Sequence, residues 1–423
     1  MKNVVLFFLI GVLLLGVVAC TQPVSAEVVK SDKPRVTSPA VSQADIATLV
    51  DGNSAFAFDL YRVLKDTDGN LFYSPYSISE ALAMTYGGAR GETAKQMADT
   101  LHFQLSQSQL HSAFNSLDLE LAKRGQGAKG QDEKGFRLHV VNAIWGQQGF
   151  SFLPDYLDLL AQNYGAGLRI LDFIKATEQS RETINQWVSE QTEEKIKDLL
   201  PPGSIDTTTR LVLTNAIYFN AAWASAFKSE FTVDGQFTLL DGSQVNARLM
   251  NQTGSYGYAS GDNYQAVEIP YDGQELSMVI LMPQADQFQT FETALSGQQL
   301  SDIINTIKYQ QVELSMPKFK VESEFSLKNE LSAMGMPDAF NDADFSGMDG
   351  KTDLEIADVV HKSYVSVDEA GTEAAAATGV IMSLTAMPAE PVKVTIDHPF
   401  IFLIRDIKTG AILFVGRILN PTA

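Results

Sequence analysis

Residues 367–385, VDEAGTEAAAATGVIMSLT, constrain what this chain can fold into more than any other stretch. Alanine is the best helix former, so the tract 374–377 can be read as plain helix. Read at period 2, Thr372, Ala374, Ala376, Thr378, Val380, Met382 and Leu384 share one uncharged face that grows from small to large. The charge of Glu373 falls on the opposite face. A segment able to enter a β-sheet and bury one side is written this way, and Gly371 stands at its start as a permissive pivot.

The remainder of the chain supplies a large packed core. Of 423 residues, 45% are hydrophobic and 9% aromatic, with only 15 prolines, which excludes a disordered or fibrous chain. Lys and Arg number 31 against 51 Asp and Glu, a formal charge of -20 that repels nucleic-acid phosphates, so nucleic acid is excluded as a partner. From residue 43 onward there is neither a domain-separating linker nor a repeat, and 43–423 reads as one domain. Apolar spacings predict helices around 55–64, 78–84 and 180–188, the last stopping near Pro201-Pro202-Gly203. Strands are predicted at 138–144, 211–219, 267–269 and 276–282. Helices and strands that do not alternate regularly point to an α+β fold.

The N-terminus has the pattern of an export signal over 1–19, with Lys2 before the apolar run 4–19, which is too short to span a bilayer. Val17-Val18-Ala19-Cys20 resembles the lipobox of prokaryotic lipoproteins, and Cys20 is the one cysteine of the chain. Residues 20–42 are therefore expected to be a lipidated Cys20 and a Pro/Ser/Thr-rich flexible tether. An exported cell-surface or outer-membrane lipoprotein, or a secreted protein, follows, with the membrane touched only through the lipid.

Motifs for catalysis are missing. There is no Gly-x-Ser-x-Gly nucleophile elbow, and His102, His111, His139, His361 and His398 lack metal-ligand spacing. The stretch 347–352, GMDGKT, lacks the first glycine of a phosphate-binding loop, since Phe345 stands there, and reads as a turn. No enzyme activity, metal or cofactor is expected.

Glu369 through Thr378, with its glycine, threonine and alanine tract in register, resembles the reactive-loop hinge of the serpin family. Further motifs follow in that family's order: 70–79 (NLFYSPYSIS), 185–188 (NQWV), 213–219 (LTNAIYF) with Trp223, 267–271 (VEIPY), 316–319 (MPKF), His361-Lys362, and 397–406 (DHPFIFLIRD). The resemblance implies three β-sheets with about nine helices and an exposed reactive-centre loop offered as bait. It implies a monomeric, single-use inhibitor whose cut loop inserts into the main sheet and traps a serine endopeptidase, or a papain-like cysteine protease, as a covalent acyl-enzyme. The alternative is a non-inhibitory member acting as chaperone or ligand carrier, whose hinges tend to carry bulky or charged residues.

Counting as the family does, with Glu369 seventeenth before the cut, the resemblance puts the reactive bond between Thr385 and Ala386, with Leu384 as the alternative specificity residue. The hinge comprises Glu369, Gly371, Thr372, Glu373, Ala374, Ala375, Ala376, Ala377 and Thr378. No Lys or Arg occurs between Gly371 and Val392, so elastase-, chymotrypsin- or subtilisin-like targets are expected rather than trypsin-like ones. Ser74, Ser77, Asn215 and His361 match the family's polar cluster where strands part. Trp223 and Lys318 match positions where insertion begins, Lys318 pairing with Glu369.

Overall fold

Twelve residues without a charge, Leu211–Ala222, are buried along their whole length, as a strand in the middle of a sheet covered on both faces must be. They form the axis of the fold. The computed structural model describes residues 24–126, 128, 136–372 and 390–423. In chain order the first half carries β1 (Glu27–Val29), α1 (Gln43–Leu64), β2 (Leu71–Tyr73), α2 (Pro75–Tyr86), α3 (Gly91–Thr100), α4 (Gln107–Leu121), β3 (Arg137–Gln147), α5 (Pro154–Tyr164), β4 (Leu168–Leu171) and α6 (Thr177–Gln191). Strands then dominate: β5 (Leu211–Ala222), β6 (Val233–Thr238), β7 (Gln244–Ser260), β8 (Tyr264–Pro270), β9 (Leu276–Pro283), with α7 (Phe288–Ala294) and α8 (Gly297–Thr306) following. The remainder is β10 (Lys308–Pro317), β11 (Phe319–Ser326), α9 (Lys328–Met334), α10 (Ser346–Asp349), β12 (Ile356–Val367), β13 (Gly371–Thr372), β14 (Val392–Thr395), β15 (Phe400–Asp406) and β16 (Ile412–Ile418).

This is the expected α+β architecture, with ten α-helices among the described residues. The main sheet has the order β1-β4-β3-β5-β13-β12-β11, and β5 also pairs directly with β12. The other strands form one hydrogen-bonded network of nine because β7 serves two sheets. Its first part pairs with β6 and β10, and its last four residues pair with β8, so the expected second and third sheets are continuous through one long strand.

Two expectations need correction. The helix over 180–188 ends at Gln191, well before Pro201, because Thr192 turns its hydroxyl onto Val188 O (2.8 Å) and accepts Ile196 N–H, while Glu193 and Glu194 take positive φ. Residues 24–42, expected as a flexible tether, are docked. β1 adds antiparallel to the edge strand β4, and Val24 and Ala26 pack on the core beneath α6. Arg35 donates to Asn115 Oδ1 (2.8 Å) and Asp118 (2.6 Å), Lys33 pairs with Asp158 (2.6 Å), and Asn115 donates to Val36 O. Pairing covers an otherwise open sheet edge, which composition alone does not reveal. Cys20 lies outside the described residues.

Candidate functional site: a hinge seated above a polar gate

β5 and β12 run parallel and pair from Ile356↔Leu211 to Tyr364↔Tyr218. Beyond that point they diverge, and the gap is filled by the hinge. Gly371 and Thr372 pair with Ala222 and Ala221 of β5, and Thr372 also pairs with Val367 of β12. A Cβ on Gly371 would lie 2.2 Å from Ala221 O, so only glycine lets the backbone approach β5 this closely. Thr372 is 0% exposed and its hydroxyl lies 2.9 Å from that of Tyr271.

Around this point the predicted residues converge. Trp223 stacks on Tyr271 (4.7 Å, 10°), its indole donates to Asp368 O (3.0 Å), and its backbone N–H donates to Ala370 O (2.9 Å). Lys318 Nζ bonds Glu369 Oε2 (2.7 Å), and Thr232 donates to Oε1 (2.7 Å). Burial raises the Glu369 carboxyl, but the bonds from Lys318 and Thr232 outweigh it and leave Glu369 below its ordinary value. Asp368, mainly through burial, is pushed up. Tyr271, Thr232 and Asp368 were missed by the sequence reading.

Below the hinge lies the polar cluster. Ser74 caps α2 with Pro75 in the first helical turn, accepts Ser77 N–H (3.2 Å) and donates to Leu413 O of β16 (2.6 Å). The Ser74 N–H donates to His361 Nε2 (3.2 Å), and His361 Nδ1 bonds Asn215 Oδ1. Asn215 Nδ2 reaches Ser77 Oγ and Asn142 Oδ1, and Ser77 Oγ donates to Asn142 Oδ1 (3.1 Å). Asn142, Asn215 and His361 are register partners on β3, β5 and β12, so the row crosses the line along which β5 and β12 meet. The structure therefore brings together all four predicted members and adds Asn142. Its signal was present in sequence, because Asn142 interrupts the otherwise apolar face of Leu138, Val140 and Ile144. Asn142 Nδ2 also donates to Glu80 (2.9 Å). Burial lifts the Glu80 carboxyl to about 8, with Asp118 adding to the shift and Arg35 and Asn142 opposing it; burial lowers His361 to about 3.

Glu373, Ala374, Ala375, Ala376, Ala377, Thr378, Leu384, Thr385 and Ala386 lie outside the described residues, so the reactive bond has no geometry here. Such an arrangement can admit a strand: a slot already opened at one end and closed below by the parallel β5–β12 ladder, which the polar side chains bridge.

Residues 51–421 match the family described as Serpin (serine protease inhibitor). The leukocyte elastase inhibitor of Xenopus laevis is 41% identical over 377 residues, covering 86% of this chain and 97% of the relative. That of Homo sapiens is 40% identical over 387 residues, covering 88% and 99%. Among solved structures, the native state of tengpin, a thermophilic serpin, aligns with a TM-score of 0.80 at 29% identity over 94% of this chain and 100% of that one. The family's description and the names of these relatives are those of protease inhibitors rather than enzymes, and this chain belongs to the serpin family.

Proposed function

We propose that the protein is an irreversible suicide-substrate inhibitor of serine endopeptidases of elastase-, chymotrypsin- or subtilisin-like specificity. The protease's serine hydroxyl attacks the Thr385 carbonyl, the amine of Ala386 leaves with the proton, and an ester joins Thr385 to the enzyme. The freed loop then continues the strand that Gly371 and Thr372 have begun, and carries the acyl-enzyme with it. The observation that carries this reading is the seated hinge: Thr372 is buried between β5 and β12 and the inserting face after it is uncharged. Similarity to named elastase inhibitors supports the target class. Papain-like cysteine proteases, whose thiolate forms the analogous thioester, are secondary targets. The protein acts as a monomer.

We further infer that Cys20 is acylated after removal of 1–19, which makes the protein an exported lipoprotein. The test of the inhibitory reading is to mix the domain with elastase-, chymotrypsin- and subtilisin-like proteases, run a denaturing gel and weigh the released peptide. A covalent complex with a peptide beginning at Ala386 is expected. Cleavage without any complex would favour the carrier or chaperone alternative.

A further inference from the structure

Val24 is the first described residue of the docked arm, and only Thr21, Gln22 and Pro23 separate it from Cys20. We propose that the acyl chains on Cys20 hold one defined pole of the domain against the phospholipid bilayer, namely the end of the main sheet where β4 finishes and β5 starts, with the hinge directed away. The proposal rests on the lipoprotein reading above.

The direction follows from register. β1 runs antiparallel to β4, with Glu27 opposite Ile170, so continuing the pairing sets residue 24 opposite Phe173, next to Ile174. Thr183 Oγ1 donates to Val24 O (2.7 Å), and Val24 and Ala26 pack on the core that Trp187 also covers, so the arm is held up to its first described residue. β4 pairs parallel with β3 at Gln147↔Leu171, and the β3–β5 pairing ends with Gly146 opposite Leu211, the first residue of β5. The hinge pairs with Ala221 and Ala222 at the other end of β5. Eleven steps along a strand at about 3.3 Å each set the two ends about 36 Å apart.

Length of leash decides the outcome. Four residue steps from Cys20 to Val24 span at most about 14 Å, less than half the length of β5, so the domain cannot turn its hinge end to the bilayer. Had all of 21–42 been free, the leash would reach about 75 Å and permit any orientation. The pole beside the arm presents Ile174, 46% exposed, and the exposed Lys175, an apolar tip and a cation suited to the headgroup layer. With a net charge of -20 the chain gains nothing from anionic lipid, so the acyl chains supply the attachment and a zwitterionic bilayer suffices.

The experiment uses the full chain made in a host that processes lipoproteins and placed on phosphatidylcholine vesicles carrying a headgroup quencher. A fluorophore is attached to one introduced cysteine, Ile174→Cys or Lys228→Cys; both positions are exposed, and Lys228 adjoins Phe227, whose N–H bonds Glu369 O near the hinge. Several-fold stronger quenching at position 174 than at 228 is expected, with slow amide exchange over 27–29. Equal quenching at the two positions, on protein whose Cys20 carries lipid by mass spectrometry, would overturn the orientation and leave the lipoprotein reading standing. An unmodified Cys20 would overturn the lipoprotein reading and the orientation with it.

Discussion

His361 accepts the backbone N–H of Ser74 on Nε2, so its single ring proton sits on Nδ1 and is given to Asn215 Oδ1 across the β5–β12 junction. That tautomer propagates. Asn215 must turn its amide nitrogen toward Ser77 and Asn142, and Asn142 must then turn its own toward Glu80. The β5–β12 junction is thus bridged by directional side-chain bonds beside its backbone ladder, and under the proposed mechanism these break one by one as a strand enters, whereas interdigitated apolar side chains would have to be unpacked.

Removing the member that sequence reading missed tests this chain of bonds. Asn142→Leu leaves Asn215 Nδ2 short of an acceptor and Glu80 without its donor in a buried setting. A loss of about 3 kcal/mol is expected, read as a lower urea midpoint with unchanged slope. A midpoint equal to the parent's would show that Asn142 is a bystander.

The pH dependence follows from Glu80. In the fold its carboxyl is held at about 8, against 4.5 unfolded, so between these values the folded chain keeps a proton that the unfolded chain sheds. Its contribution is full below about 4.5 and is lost as pH rises towards 8. His361 acts in the other direction, losing stability as pH falls from 6.5 towards 3, and is the same in parent and variant. Glu80→Gln keeps an acceptor for Asn142 and removes the titration. Its stability relative to the parent should therefore climb from pH 5 to pH 8 in urea titrations. A constant difference across that range would place the carboxyl's titration elsewhere.

What could be read from the sequence follows from how each residue is recognised. Ser74, Ser77, Asn215 and His361 sit in contiguous, ordered motifs, and of the hinge only its start, Gly371 and Thr372, falls among the described residues, where it is paired as a strand. Glu80 was hidden because α2 is buried on every side, all twelve residues of it, so no amphipathic stripe marks which face meets Asn142. Tyr271 and Thr232 act on the hinge only through tertiary contact, from the residues just after β8 and just before β6, far away in sequence. Residues 24–42 misled for a different reason. Their Pro/Ser/Thr composition is that of a linker, yet β1 needs only three residues to cover a sheet edge, and Arg35 needs only one acidic partner on α4.

Arg35 provides the test of that docking. Its guanidinium reaches Asn115 and Asp118, with about a quarter of each charged side chain exposed, so Arg35→Leu should cost about 1 kcal/mol. Hydrogen exchange should quicken at Glu27–Val29 and stay slow in β5. Because Arg35 also opposes the upward shift of Glu80, the variant's stability should fall more steeply from pH 5 to 8 than the parent's. Unchanged exchange in β1 would mean that the backbone pairing with β4 holds the arm unaided.

Thr372→Arg separates trapping from mere cleavage. Thr372 is 0% exposed, with Tyr271 against its hydroxyl and strands on both sides, and an arginine there would bury an unpaired cation. Because Thr372 is seated there already in the uncleaved chain, the arginine should displace the hinge from between β5 and β12 and block loop entry at its first residue, leaving the acyl-enzyme time to hydrolyse. The variant should be cut between Thr385 and Ala386 with little or no covalent complex on a denaturing gel, behaving as a substrate. Glu373→Arg, one residue on and on the outward face of the period-2 pattern, should keep the complex, because its charge stays in water. Loss of the complex in both variants would trace the defect to charge near the hinge, and its retention in Thr372→Arg would exclude insertion between β5 and β12 as the trapping step.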